Sequence, residues 1–377
     1  MNNNLKEIEI SGIRKFFNKV KEVDGAISLT LGQPDFKTPK EIKNGMIKAI
    51  EENKTVYTDN FGLLELREEI SNYLKSKYIN YTADEICITV GGSEALFSSI
   101  ATVINKGDKV LIPTPAYPAY ENIVKILGGE VVNYSLKEDF SIDLEKLEGL
   151  IKDKNIKYMI LSYPSNPTGA ILRKEEYIKL VKIIEDYKLI VITDEIYEAF
   201  CYENYYSVAM NSHIKDSIIY IGGFSKMLSI TGLRIGFIAA SKNLIKEIGK
   251  VHQYNVSCTN SIGQYGVLEG LKNGLYNVET MKEEFVKRKK YVEDELKRMG
   301  IKYYSPKGAF YIFPSIKKFN LSSEEFCDRL LYEDKVACVP GNAFGNGGEG
   351  YIRISYCYSL EELKVALNRL EVFIKKL

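Results

Sequence analysis

The chain has 377 residues, 45% of them hydrophobic and 27% charged, with a formal net charge of +1. That balance fits a soluble globular protein with room for one large domain and a smaller one, and it gives no electrostatic case for nucleic acid. Apolar runs stop well short of a membrane span, six scattered cysteines form no C-x-x-C pair, and His213 and His252 sit in no metal-ligating or catalytic pattern.

Taken in chain order, the opening "MNNNLKEIEI" has no basic stretch followed by an apolar one, so no signal peptide is expected and the setting is cytoplasmic by default. From about residue 83 to 240, short β-branched runs alternate with amphipathic segments, the pattern of an α/β sheet with crossovers. The expected strands are "EICITV", "KVLIPT", "KYMILSY", "LIVITDE", "SIIYIGG" and "RIGFIAA"; several are almost continuously apolar, as strands covered on both faces must be. Helices are expected over "SEALFSSIATVIN" and "KEEYIKLVKIIEDYK", the second burying Tyr177, Leu180, Val181 and Ile184 at helical spacing. Past residue 280 the rhythm changes. A charged helix, "MKEEFVKRKKYVEDELKRMG", ends at Gly300, and short strands ("GAFYIF", "VACVP", "YIRISY") and a last helix follow. The division expected is a large domain over 41–280 and a smaller α+β domain from 1–40 and 281–377.

Five of the strands run into unusual residues, and open α/β sheets bind ligands beyond the carboxyl ends of their strands. "EICITV" leads into Gly91-Gly92-Ser93 and a helix, either a tight turn or a seat for phosphate on free backbone N–H groups. Ser225 and Arg234 add a hydroxyl and a guanidinium fork suited to the same anion. Asp194 ends a buried strand, where a carboxylate either caps the next element or pairs with a buried cation. Tyr117 and Tyr197 pack, or hold a flat heterocycle. Asn166 stands before Pro167, a usual turn position. The glycine-rich "GNAFGNGGEG" leads into a strand, not a helix, and is expected to be a flexible loop. Lys226, between "SIIYIGGFS" and a glycine-rich stretch, is either a solvated charge or an amine that does covalent chemistry. Phosphate, flat ring, ring cation and lysine together describe pyridoxal 5′-phosphate.

The chain resembles the class I/II aminotransferases of the fold-type I pyridoxal-phosphate enzymes nearly end to end. The likeness is carried by "SLTLGQPDF", "YTDNFGLLELREEI", "TVGGSEAL", "PTPAYPAY", "SYPSNPTGA", "TDEIYEAF", "GFSKMLSITGLRIG", "PKGAFYIF" and "PGNAFGNGGEGYIRISY". It implies a mostly parallel seven-stranded sheet flanked by helices, plus a smaller α+β domain, and a ping-pong transfer of an amino group from an L-amino acid to a 2-oxo acid. It implies that Lys226 forms the Schiff base with the cofactor and then moves the proton, and that Asp194 keeps the pyridine nitrogen protonated. Tyr197 and Asn166 would bond the ring hydroxyl and Tyr117 would stack on the ring. The backbone at Gly92 and Ser93, with Ser225 and Arg234, would bind the phosphate. Arg353 would grip the substrate α-carboxylate, with Gly32 and Asn166 beside it. Tyr57 is similar to the tyrosine that reaches the phosphate of a neighbouring subunit, which implies a homodimer.

One departure stands out: Gly223 replaces a hydroxyl residue of many relatives, so weaker cofactor retention is expected. Arg14 is a candidate to reach the pocket from the N-terminal segment, or a plain surface arginine. Ser93 stands where some related aspartate enzymes carry a lysine. The enzymatic alternative is a carbon–sulfur β-lyase on the same fold. A ligand-sensing module of a transcription regulator would need a DNA-binding domain beyond the matched region.

Overall fold

A computed structural model describes residues 3–8 and 10–377; residues 1, 2 and 9, which belong to the expected small-domain segment, lie outside that description. After a short strand β1 (Ile27–Ser28), seven strands build the main sheet: β2 (Ile86–Val90), β3 (Lys109–Thr114), β4 (Glu130–Ser135), β5 (Tyr158–Ser162), β6 (Ile190–Asp194), β7 (Ile218–Gly223) and β8 (Ile235–Ala240). Their order across the sheet is β2-β8-β7-β6-β5-β3-β4. Only β8 runs against its neighbours; the other pairings are parallel.

The near-continuous apolar character of these strands has a simple cause. Successive side chains point to opposite faces, so Leu111, Met159, Leu161, Val191 and Tyr220 join one core while Val110, Ile112, Ile160, Ile192, Ile219 and Ile221 join another. Helices cover both. β4, at one edge of the sheet, departs from the apolar pattern because only one of its faces is covered: Val132 and Tyr134 are buried while Asn133 is exposed.

The helix Lys174–Tyr187 buries Leu180, Val181, Ile183 and Ile184, whereas Tyr177 is half-exposed and stacks on Tyr206 at 5.8 Å. Its start is fixed by Glu176, which accepts the Arg173 N–H at 2.9 Å. The helix Tyr276–Arg298 buries Val278, Met281, Phe285, Arg288, Val292 and Leu296, so residue 280, the expected boundary, falls inside one continuous helix whose core face spans it.

Four more strands follow: β9 (Tyr311–Ile312), β10 (Val336–Ala337), β11 (Val339–Pro340) and β12 (Ile352–Ser355). β12 lies between β11 and β9, antiparallel to both. β1 pairs in parallel with β10, which ties the N-terminal segment to the C-terminal part of the chain. The glycine-rich 341–350 stretch is packed, not loose: it forms two 3₁₀ turns, and a Cβ on Gly341 would lie 1.9 Å from the Gly348 carbonyl oxygen. Five cysteines are buried and Cys258 is half-buried, all of them free thiols. No helix among the described residues is long and apolar enough to cross a membrane, and no cluster of metal-ligating side chains occurs among them.

Candidate active site

The strand order explains why the singled-out residues meet. β2, β5, β6 and β7 all point the same way, so their carboxyl ends share one rim of the sheet. β8 runs the other way, which returns its first residues, and Arg234 just before them, to that same rim. One cavity there is lined by Gly32, Gly92, Ser93, Tyr117, Asn166, Asp194, Tyr197, Ser225, Lys226, Arg234 and Arg353. Every expected site residue except Tyr57 is among them.

At one end, the helix Gly91–Val103 begins directly from β2 and aims its free backbone N–H groups at the cavity. Gly91 has a φ of +69°, and a Cβ there would come within 2.7 Å of Arg234 Nη2. Glycine is thus required both by the backbone and by the approach of the guanidinium. Arg234 Nη1 donates to the Thr231 carbonyl at 2.9 Å and Nη2 reaches Ser93 Oγ at 3.5 Å. At Gly223 a Cβ would lie 2.6 Å from Ile196 Cδ1, so Ile196 occupies the space a hydroxyl side chain would need.

Asp194 closes β6 and is 6% exposed. Its carboxylate accepts the Tyr120 hydroxyl at 2.8 Å and the Ile196 N–H at 3.2 Å. Burial raises its pKa despite those two bonds. Tyr120 was not singled out from the sequence, although "PAYPAY" carries two tyrosines three apart. Tyr120 is the buried one, donating to Asp194; Tyr117 is half-exposed and meets it edge-on at 5.7 Å.

Lys226 Nζ donates to the Gly32 carbonyl at 2.6 Å. Burial, reinforced by the positive charges of Arg353 and Arg234, pushes the amine down to about 8 against the opposing pull of Cys357 and Asp194. Arg353 comes from β12 and is 2% exposed. Its Nη1 donates to Asn166 Oδ1 at 2.7 Å and its Nη2 to the Thr30 carbonyl, while Nε has no partner. The guanidinium lies over Tyr311 at 4.4 Å and Phe344 at 4.9 Å. Tyr311, also missed from the sequence, shares a 2.9 Å hydrogen bond with the Tyr197 hydroxyl. It explains Gly32 as well, since a Cβ on Gly32 would lie 1.5 Å from the Tyr311 oxygen.

Tyr57 is 88% exposed and does not line this cavity within one chain, where the resemblance assigns it to a neighbouring subunit's site. Arg14 is exposed, its guanidinium 5.9 Å from the Phe17 ring, and it is the neighbouring Ile13 that lines the cavity.

The residues fit pyridoxal 5′-phosphate. A buried carboxylate with no protein cation bonded to it suits a ring N–H⁺, a helix start with Arg234 suits a phosphate, and a depressed amine suits an aldehyde.

The profile of aminotransferase class I and II matches residues 24–370. The chain is 44% identical to the probable N-acetyl-LL-diaminopimelate aminotransferase of Bacillus subtilis, over 100% of this chain and 96% of that one. It is 42% identical to the probable aspartate aminotransferase of Methanocaldococcus jannaschii, over 96% of each. The crystal structure of the aromatic aminotransferase from Pyrococcus horikoshii superposes with a TM-score of 0.91 at 38% identity, covering 96% of this chain and 99% of that one. Likeness of this extent, over a rim built for such a cofactor, places the chain in the class I and II aminotransferase family, as a pyridoxal 5′-phosphate-dependent transaminase.

Proposed function

We propose that the enzyme exchanges the amino group of an L-amino acid with a 2-oxo acid by a ping-pong sequence, with Arg353 as anchor of the α-carboxylate. The observation that carries this reading is the state of Arg353. Its guanidinium is buried, its protein partners are neutral oxygens, and its Nε is unpartnered. A buried cation without a carboxylate is costly, and an incoming carboxylate offsets that cost through charge-assisted hydrogen bonds.

When bound, the cofactor supplies an aldehyde carbon that captures amines and a pyridine ring that accepts the electron pair left at the substrate Cα. Lys226 Nζ, its pKa lowered to about 8, would take the proton from the substrate Cα and deliver it to the former aldehyde carbon within the same half-reaction, the second half running the same transfer in reverse. Asp194 holds the proton on the ring nitrogen. Asn166 gives its oxygen to Arg353, which leaves its N–H₂ for the ring hydroxyl, with the Tyr197 hydroxyl on the same group. Gly92, Ser93, Ser225 and Arg234 hold the phosphate, Tyr117 covers the ring face, and Gly32 lets backbone approach the carboxylate.

The active unit in this reading is a homodimer in which Tyr57 enters the neighbouring site. In support, Ile47, Ile50, Val56, Tyr57 and Tyr254 are exposed apolar side chains, and the 54–62 loop carrying two of them packs through Phe61 on the helix bearing Tyr254. Free thiols fit a reducing, cytoplasmic setting. The donor side chain is open to test with aspartate and N-acetyl-LL-diaminopimelate, which name the relatives' activities.

Kinetics of Arg353 variants test the anchor. Arg353→Leu is expected to lower kcat/KM for the best amino acid by about a thousandfold, and Arg353→Lys, which cannot bond bidentately, mainly to raise KM, by about tenfold. A variant that keeps the native preference for an amino acid over the amine lacking its carboxylate would contradict the assignment.

A further inference from the structure

We propose that Glu94 and His252 are positioning residues for the glycine turn that seats the cofactor phosphate; the proposal rests on the reading of Gly92, Ser93 and Arg234 as that seat. Neither residue lines the cavity. Glu94 is 7% exposed, in the first turn of the helix Gly91–Val103. Its Oε2 accepts the N–H of Val90, the last residue of β2, at 3.1 Å. The side chain therefore reaches back past Gly91, Gly92 and Ser93 and closes a ring around them.

Two adjacent glycines have wide backbone freedom and no side chains with which to fix their own amides. The Glu94 bridge supplies the missing constraint. Its other oxygen, Oε1, accepts the Ser98 hydroxyl and faces His252 Nδ1 at 3.3 Å. His252, on the helix Lys242–Val256, is fully buried, and its Nε2 has no partner. A carboxylate only accepts, so Nδ1 carries the proton and donates. The buried imidazole thus spends its single hydrogen bond on holding Glu94, and leaving its other nitrogen unpaired costs stability. That is the arrangement expected of a residue kept for orientation.

The test compares two ligands on holoenzyme stripped of its cofactor: pyridoxal 5′-phosphate, and pyridoxal, which has the ring and aldehyde but no phosphate. Glu94→Ala is expected to raise the Kd of pyridoxal 5′-phosphate about tenfold or more while leaving that of pyridoxal within about twofold. Glu94→Gln, which keeps an oxygen for the Val90 N–H, should stay within about threefold of the native enzyme for both ligands. His252→Asn can present an N–H near the place of Nδ1, so it should bind pyridoxal 5′-phosphate about threefold or more tighter than His252→Leu. Equal losses for the two ligands in Glu94→Ala, or no loss for either, overturn the proposal. Should Glu94→Ala fail to fold, the His252 pair decides, and equal affinities overturn it. A native enzyme that binds both ligands alike would refute the phosphate seat itself, and the proposal with it.

Discussion

Lys226→Ala is expected to lower kcat by about four to six orders of magnitude, the scale set by removing a group that acts both as nucleophile and as proton carrier. In the proposed reading the same amine is both the nucleophile that takes up the cofactor and the base at the substrate Cα, so no neighbour can replace it. Lys226→Arg should be equally inactive, since a guanidinium keeps the positive charge but stays protonated at any working pH. The pH dependence follows from the position of the amine. With its folded pKa pushed to about 8, below the ordinary lysine range, the neutral fraction grows as pH rises through about 8. Cofactor uptake by the unloaded enzyme should climb over that range and then level off. An uptake rate still climbing well past the upper end of that range would show an unperturbed lysine. The sign for stability is opposite to that of a paired lysine. Below pH 8 the amine is charged in both folded and unfolded chains and its burial is a fixed cost. That cost fades as pH rises from about 8 toward the unfolded value, because only the unfolded chain then still binds the proton. Lys226→Ala should therefore gain most in Tm, relative to the native chain, below pH 8.

Asp194→Asn should separate function from stability. Turnover is expected to fall by about a thousandfold, because a neutral amide cannot hold a proton on the ring nitrogen opposite it. The unloaded variant should nevertheless melt higher than the unloaded native enzyme at neutral pH. Asp194 is buried with two neutral donors, the Tyr120 hydroxyl and the Ile196 N–H, and burial raises its pKa above the ordinary carboxylate value. A carboxyl whose folded pKa is raised costs stability fully at pH above that folded pKa, and the cost vanishes as pH falls below the unfolded value. The Tm advantage of the asparagine variant should thus shrink on acidification. Calorimetry of both unloaded proteins across pH 4–8 checks this, and a native enzyme that melts higher throughout would mean that a protein cation already compensates Asp194.

What the sequence makes legible follows from what each residue does. Lys226, Asp194 and Ser93 follow the carboxyl ends of strongly apolar strands, so periodicity places them on one rim before any contact is known, whereas Arg234 reaches it only because β8 runs antiparallel to its neighbours. Arg353 and Gly32 come from distant segments and were assigned by resemblance alone. The structure supplies physical reasons for both: an unpartnered guanidinium nitrogen and the Tyr311 ring. Tyr120 and Tyr311 went unnoticed because nothing local distinguishes a tyrosine that bonds a functional carboxylate or hydroxyl from one that packs. His252 sits in no metal-ligating or catalytic sequence pattern, yet one of its nitrogens is unpaired and the other meets Glu94. β4 hid its edge position in a half-polar pattern, and the change of rhythm near 280 falls within the helix Tyr276–Arg298, whose core face runs through it. That Ile13 lines the cavity while Arg14 is exposed depends on the rotation of the helix Gly12–Val20 by a single residue, so spacing alone leaves both readings of Arg14 open.

The most direct measurement is a single half-reaction: the absorption spectrum of the loaded enzyme as one L-amino acid is added with no 2-oxo acid present. A transaminase converts the aldehyde-form band to the pyridoxamine form and releases one equivalent of 2-oxo acid per site, and the donor that does so fastest identifies the side-chain pocket. A band that persists while pyruvate and ammonia accumulate from a sulfur-containing donor such as cystathionine would contradict the account and make the enzyme a carbon–sulfur β-lyase.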